Sequence, residues 1–411
     1  TLILIPLFLN PVTQGFWYTF ISLAALSVFA DLGFTTIVSQ FSAHEFAYLK
    51  FDTDGLLIGS EDHLNRLSSL FRFVIKWSVL VSIIAFPLIL TVGIIMFSAK
   101  DEVRGWLIPW ILYILFSGLN FITGVCLSFF EGCNQIAPIQ KNRLIGSIIA
   151  TLTTWTLLYF EFGLFTLPIA AIFGVMVNAM LLYRCFSKSI QQLIRISKNI
   201  SHSWRRDFLS LIWRYAISWS SGYLIFQIYT PLSFQFHGAV FAGKVGLTMS
   251  LCSAIFSISN VWIYTSTPTL NMKASKSDWN GMDRLAKKSV LMSAGTFILG
   301  SISALILLQV LNGKIALIDR FLGIFPMTIL LISWFCQIII SGLAIYLRAH
   351  KKEPLVLPSI VSAIYIAVST YLISRYLPSD FLFMGFLTSF IFCIPWCICI
   401  LISKRKEWHS F

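Results

Sequence analysis

The sequence is poor in charged residues. Of its 411 residues, 11% are Asp, Glu, Lys or Arg, whereas about 25% is usual in soluble globular domains. Hydrophobic residues make up 57% of the chain, and the mean hydropathy is +0.82. These values exclude a water-soluble globular domain and indicate a protein with many membrane-spanning helices.

The sequence also lacks the short motifs of common catalytic sites. It contains no phosphate-binding GxxxxGK[ST] loop, no HExxH and no GxSxG. Most of its eight cysteines lie inside apolar runs, and the three in the last run have no neighbouring histidine or acidic residue. We therefore expect no covalent catalysis, no metal site and no cofactor.

A third absence concerns the loops, since no long segment is expected on the outer side of the membrane. Membrane-bound polymerases and ligases that build polysaccharides usually need such a loop for their chemistry. This class of enzyme stays an alternative, but short outer loops favour a transporter.

Long apolar runs predict twelve membrane-spanning helices. The runs are rich in Leu, Ile and Phe and lack the two-residue alternation of outer-membrane strands. The predicted spans are residues 1–9, 16–40, 69–98, 105–131, 142–160, 163–183, 208–230, 239–265, 289–311, 324–347, 355–375 and 380–402. Because Thr1 already lies in an apolar run, we expect the first span to be truncated and residues to be missing before it.

Basic residues concentrate in alternate loops, above all in residues 184–207 and 271–288 and in the C-terminal tail. By the positive-inside rule, these segments and both termini face the cytoplasm. The net charge of +13 is thereby explained without a nucleic-acid partner. The predicted domains are an N-terminal lobe, 1–183, a linker, 184–207, a C-terminal lobe, 208–403, and a tail, 404–411.

The linker has a helical pattern of apolar residues. One predicted face carries Phe186, Ile190, Leu193, Ile194 and Ser197, and the opposite face is polar and basic. Such a pattern is typical of an amphipathic helix on a membrane surface, so we expect this segment to lie on the inner leaflet.

Ionisable residues within the spans are candidates for function, because burying a charge in hydrocarbon costs several kcal/mol. The candidates are Asp31, Arg72, Lys76, Glu131, Arg143, Arg214 and Lys244. For Arg72 and Arg143, near span ends, snorkelling to the headgroups is an equal alternative. For Asp31, the alternative is a structural bond to a neighbouring Ser or Thr.

Polar residues also recur at helical spacing in spans 2, 4, 7 and 8. The main stripe residues are Ser27, Asp31, Thr35, Ser117, Asn120, Gly124, Ser128, Arg214, Ser218, Ser253, Ser257 and Asn260. Helix packing explains any single stripe, but four stripes together predict one shared polar cavity between the lobes. Most of its positive charge would lie toward the cytoplasmic end and would suit an anionic group.

The hinge, residues 131–143, joins spans 4 and 5. Glu131 ends the first of these spans and Arg143 opens the second, so their side chains are predicted to pair. Gly132 permits a sharp turn, and Pro138 is expected to limit helix in the connection.

Two segments resemble a known family. GFWYTFISLAALSVFADLGFTTIVSQFSAHEFA, from Gly15 to Ala47, resembles the second span of polysaccharide-biosynthesis flippases, with a Gly-x-aromatic start and an Asp-Leu-Gly centre. FFEGCNQIAPIQKNRLIG, from Phe129 to Gly146, is similar to that family's hinge after span 4. The most similar type is the O-antigen flippase (Wzx) of the multidrug/oligosaccharidyl-lipid/polysaccharide (MOP) exporter superfamily.

This resemblance implies an all-α polytopic fold with two six-helix lobes around a central cavity. It implies a flippase of the bacterial inner membrane that moves undecaprenyl-diphosphate-linked O-antigen repeat units from the cytoplasmic to the periplasmic leaflet by alternating access. The coupling ion, if there is one, would be H⁺ or Na⁺. The protein partners would be a polysaccharide polymerase and a chain-length regulator.

The resemblance also suggests roles for the candidate residues. Asp31 and Glu131 would serve as gate or coupling groups, and the basic candidates would attract the diphosphate: Arg72, Lys76, Arg143, Arg214 and Lys244. A multidrug or cation antiporter of the same superfamily stays open as an alternative, as does a non-transporting membrane protein. An antiporter of cationic drugs would be expected to carry acidic residues deep in its cavity.

Overall fold

The computed structural model describes residues 1–98, 105–197, 204, 208, 216, 220–311, 313–314, 317–350 and 353–409. Almost all regular structure in this part of the chain is helical, as predicted. The helices are α1 (Leu4–Phe8), α2 (Pro11–Ala24), α3 (Val28–Asp31), α4 (Phe34–Phe46), α5 (Glu61–Ser98), α6 (Leu107–Gly132), α7 (Ile136–Tyr159), α8 (Thr166–Ser197), α9 (Tyr229–Ser275), α10 (Trp279–Leu311), α11 (Ile324–Arg348), α12 (Val356–Tyr376) and α13 (Met384–His409).

The predicted span 16–40 is not one continuous helix. It begins earlier, at Pro11, because Asn10 caps the helix: its side chain accepts a hydrogen bond of 2.7 Å from the Thr13 amide. The helix then breaks at Leu32 and Gly33, whose φ angles are +45° and +77°. Positive φ is uncommon for leucine, so this break is a specific feature of the fold between α3 and α4.

The loop between α4 and α5 contains a short antiparallel hairpin that the sequence did not predict. Its strands are β1 (Leu49–Phe51) and β2 (Leu57–Gly59), with Lys50 opposite Ile58. Leu49 and Leu57 are buried in the same apolar core as residues of the neighbouring helices, so the hairpin packs against those helices.

Several helices extend beyond their predicted ends. α5 begins at Glu61, eight residues before the predicted span, and α8 continues past the predicted end at residue 183 with a kink at Phe186. The expectation that Pro138 limits helix in the hinge is wrong. Pro138 lies in the first turn of α7, where the backbone N–H groups have no partner within the helix and proline is tolerated.

The apolar face of the linker contacts protein over part of its length. Phe186 and Leu193 are buried, and Gln192 exchanges hydrogen bonds of 2.8 and 2.9 Å with the backbone of Leu57. The Ser189 hydroxyl donates to the carbonyl of Gly55 at 2.6 Å. This stretch therefore packs against the hairpin, and its position on the inner leaflet remains a prediction.

The chain separates into two compact units, Ile3–Ser220 and Ser221–Phe411. The lobe boundary predicted at 184–207 remains a prediction. In the first unit, the rings of Phe71 and Phe129 lie 4.9 Å apart at the centre of an aromatic core. In the second unit, Trp334 stacks on Phe226 at 5.2 Å.

Within the described residues, nine helical segments are long and apolar enough to cross a membrane. Twelve spans were predicted. α1 is too short, and α7 carries Lys141, Asn142 and Arg143 in its first turns, which lower its hydropathy. Most of the predicted span 208–230 lies outside the described residues.

Candidate functional site

The first unit contains an open cavity of about 480 Å³ between the broken helix α2–α4 and the middle of α6. Its polar lining comes from residues that the sequence placed in two separate stripes. These residues are Ser27, Asp31, Thr35, Ser117, Asn120 and Gly124. The helical spacing on spans 2 and 4 therefore reflects one shared surface within this unit.

Asp31 lies at the helix break and faces the cavity. Its two carboxylate oxygens accept hydrogen bonds of 3.0 Å from the amide and from the hydroxyl of Thr35. The carboxylate thus caps the first turn of α4, where the N–H groups have no partner within the helix. The structural bond to a neighbouring threonine, which the sequence left as an alternative, is present, and it coexists with exposure to the cavity.

Two aromatic residues of this cavity were missed from the sequence. Tyr113 and Phe121 lie on the same face of α6 as Ser117, Asn120 and Gly124. Tyr113 continues the polar stripe by one turn at a spacing of four residues, so the helical periodicity contained this signal. The cavity combines hydroxyl, amide and carboxylate groups with aromatic rings, which is a surface suited to hydrogen-bonding ligands with apolar faces.

The hinge is held by a group of polar contacts. An Arg143 guanidinium nitrogen lies 2.9 Å from the Glu131 carboxylate and 3.3 Å from the Ser128 hydroxyl. The Gln140 amide donates to Glu131 at 2.9 Å. The predicted proximity of carboxylate and guanidinium is therefore found, and both side chains keep partial exposure, 24% for Glu131 and 38% for Arg143.

A second open cavity, of about 610 Å³, adjoins the hinge. Glu131, Gly132 and Asn134 line one side, and Ser39 and Phe46 of α4 line another. The backbones of α4 and α6 approach closely here, because a Cβ at Gly132 would overlap the Ser39 carbonyl and the Ser42 hydroxyl. This glycine thus serves close packing of two helices.

Two of the remaining basic candidates lie on α5. Arg72 and Lys76 are exposed on its first half, and neither lines the 480 Å³ or the 610 Å³ cavity. Lys244 is half-buried on α9. Arg214 and Ser218 lie outside the described residues, so the stripe predicted for span 7 has no structural description.

In the second unit, the serine side chains of the polar stripe on α9 form hydrogen bonds within their own helix. Ser253 and Ser257 donate hydrogen bonds of 3.0 and 2.7 Å to backbone carbonyls within the same helix. Asn260 is completely buried, and its amide atoms have no hydrogen-bond partner within the described part of the chain. The cavity predicted between the lobes remains a prediction.

One buried carboxylate was missed by the sequence analysis. Glu45 lies in the last turn of α4 and is only 1% exposed. Glu45 follows the buried residues Val38 and Ser42 by seven and three positions, which is the spacing of one helix face. This periodicity could have placed Glu45 on the buried face of α4.

Comparisons with known proteins identify the fold. No family model matches the sequence, and no curated protein sequence matches it. Among solved structures, the chain resembles an inward-facing multidrug resistance MATE family transporter of the MOP superfamily. The two share 12% sequence identity and a TM-score of 0.60, over 98% of each chain.

Two other structures show the same likeness. An outward-facing multidrug resistance MATE family transporter has 12% identity and a TM-score of 0.52, over 98% of this chain and 94% of that one. A MOP superfamily transporter from Pyrococcus furiosus, described as having a binding pocket of reverse polarity, has 12% identity and a TM-score of 0.53, over 98% and 91%. The prediction of an all-α polytopic membrane protein with a MOP-type fold is confirmed.

Proposed function

We propose that this protein is a flippase for polyprenyl-diphosphate-linked saccharides. The observation that carries the proposal is the lining of the 480 Å³ cavity, where hydroxyl and amide groups stand beside the rings of Tyr113 and Phe121. A sugar offers many hydroxyl groups and apolar C–H faces, so this surface matches it in both respects. The resemblance of the Asp-Leu-Gly break and of the hinge to polysaccharide-biosynthesis flippases supports the same substrate.

In this proposal, the basic candidates attract the diphosphate. Arg72 and Lys76 stand four residues apart on one face of α5, both exposed. Arg143, Lys244 and Arg214 would add to this attraction during transport. The protein would lie in the bacterial inner membrane with both termini in the cytoplasm, following the loop charges, and would deliver O-antigen units to a polymerase and its chain-length regulator.

A second candidate, a multidrug or cation antiporter, is favoured by two observations. The MATE structures it resembles are described as multidrug resistance transporters. In addition, Asp31 is the one charged residue among those that line the 480 Å³ cavity, and it is acidic. A carboxylate there would attract a cationic drug.

Transport by the purified protein in vesicles separates the two functions. A short-chain polyprenyl diphosphate carrying a fluorescently labelled oligosaccharide is placed in both leaflets, and an impermeant reductant is added outside. The flippase predicts that the inner-leaflet label becomes accessible only in vesicles with the protein. If that label stays protected while a cationic dye moves in response to an ion gradient, the antiporter function is correct.

A further inference from the structure

A groove of about 430 Å³ runs between α5 and α6, on another face of α6 from the 480 Å³ cavity. Its lining comes from residues 79–90 of α5 and residues 111–122 of α6. Phe86, Ile114 and Gly118 are buried and form its floor. A Cβ at Gly118 would already meet the Phe86 ring at 3.4 Å, so glycine gives this groove its depth. We call it the α5–α6 groove.

The lining of the α5–α6 groove is almost entirely apolar. Among the described residues that line it, Ser82 alone has a polar side chain, and its hydroxyl donates a hydrogen bond of 3.5 Å to the carbonyl of Gly118. Exposed side chains form the two rims, with Ile83 on α5 and Leu115 and Leu119 on α6. Because a hydrocarbon chain needs no hydrogen-bond partner, this surface suits the apolar chain of a lipid.

Two basic residues stand in line with one rim of the groove. Arg72, Lys76, Val79 and Ile83 follow one another at spacings of four, three and four residues, which place them on one face of α5. At 1.5 Å per residue, Lys76 lies about 4.5 Å and Arg72 about 10.5 Å beyond Val79 along the helix. By the loop charges this is the cytoplasmic end of α5. An apolar chain with an anionic headgroup matches the groove and its basic end in that order.

The groove also adjoins the polar cavity. Phe86 lines the groove and Phe121 lines the 480 Å³ cavity, and their ring centroids lie 6.1 Å apart. Both cavities follow the same stretch of α6, since the groove extends over residues 111–122 and the polar cavity over residues 113–124. A single molecule that joins a sugar to an apolar chain can therefore contact both surfaces at once.

We propose that the α5–α6 groove holds the polyprenyl chain of the lipid-linked saccharide while the sugar occupies the 480 Å³ cavity. This inference rests on the proposed flippase function and adds the place of the chain. Lys76 and Arg72 receive the diphosphate at the end of the groove. Since lipid tails are as apolar as the groove, the chain gains little by leaving the bilayer, and the charge on its headgroup holds it there.

Photocrosslinking in phosphatidylcholine nanodiscs tests the proposal. The probe is a short-chain polyprenyl diphosphate without a sugar, with a diazirine in the middle of its chain, and mass spectrometry maps the adducts after irradiation. We expect adducts on the rim residues Ile83, Leu115 and Leu119. Few should form on Leu88, which is 62% exposed on the same helix, against 66% for Ile83, but does not line the groove.

Matched variants show whether the groove itself is responsible. Ile83→Trp places a large ring in the groove, so the adducts on Leu115 and Leu119 should be lost. Leu88→Trp adds the same ring outside the groove and should leave these adducts unchanged. Both positions are exposed, so both variants should fold. Lys76→Gln should lower the adduct yield about two- to fivefold, as for the loss of an exposed ion pair.

Two results would overturn the proposal. One is equal labelling of Ile83 and Leu88. The other is competition by phosphatidylglycerol as strong as that by unlabelled polyprenyl diphosphate, since an ordinary anionic bilayer lipid would then fill the groove. The probe carries no sugar and its binding needs no transport. Normal flipping in the vesicle assay without groove adducts would therefore contradict this site alone, and groove adducts without flipping would contradict the proposed function alone.

Discussion

The middle of α6 and its end differ in how closely other helices approach. A Cβ at Gly124 would meet no atom within 4 Å, whereas a Cβ at Gly132 would overlap the backbone and side chain of α4. The middle borders an open cavity and carries Asn120 and Tyr113, while the end carries the Glu131–Arg143 pair. One helix thus forms both the wall of an open cavity and a close contact between helices.

The difference between the two regions extends to their carboxylates. Asp31 lies across the cavity from the middle of α6, and its carboxylate accepts hydrogen bonds from Thr35, four residues later in the chain. Glu131 is held by Arg143 and Gln140 of the next helix. The first carboxylate therefore faces an open cavity, and the second joins α6 to α7.

The largest expected effect is that of Asp31→Ala on transport. Loss of a charged hydrogen-bonding group costs about 1.5–3 kcal/mol, which is about tenfold to hundredfold in rate. Asp31→Asn keeps the hydrogen bonds to a sugar and the cap on α4, so it should be much milder. Both are measured in the vesicle assay at matched protein abundance. Equal loss in both variants would show that the charge is essential and would favour the cation antiporter.

The next effect compares Gly132→Ala with Gly124→Ala. The first should lower the free energy of unfolding by about 1–3 kcal/mol, because overlap with Ser39 and Ser42 forces α4 away. The second should leave stability unchanged or raise it by about 0.5–1 kcal/mol, since alanine favours helix over glycine. Thermal unfolding in detergent measures both. Equal stability of the two variants would contradict the packing described here.

A smaller effect is expected for Arg143→Ala. The pair with Glu131 is partly exposed, so its loss should lower the free energy of unfolding by about 0.2–1 kcal/mol. Transport should slow because Arg143 no longer contacts Glu131 across the hinge. Arg143→Lys serves as the control, since it keeps the charge but not the guanidinium that contacts both Glu131 and Ser128. If Arg143→Ala transports normally, the contact between Arg143 and Glu131 has no part in transport.

The smallest effect is expected for Lys404→Ala, which provides an exposed reference for the hinge pair. Lys404 and Glu407 lie 2.5 Å apart and are 37% and 52% exposed. Such pairs contribute little because water screens them, so unfolding should be indistinguishable from the wild type. A larger loss here than in Arg143→Ala would reverse the ranking of the two pairs.

Much of this fold was predictable because apolar runs define membrane helices. Periodicity also placed Ser117, Asn120 and Gly124 on one face of α6, and that face does line a cavity. The break at Leu32 was missed because leucine rarely takes a positive φ. Glu45 was missed because an acidic residue near a span end is usually solvated.

The sidedness of the lipid-linked saccharide in cells tests the central claim most directly. In a strain without this protein, polyprenyl-diphosphate-linked repeat units should accumulate in the cytoplasmic leaflet, protected from an impermeant reagent, and long O-chains should be lost from the surface. Restoring the wild-type protein should reverse both effects, and restoring Asp31→Ala should not. If the repeat units reach the periplasmic leaflet at the normal rate without any redundant flippase, the protein is not their flippase.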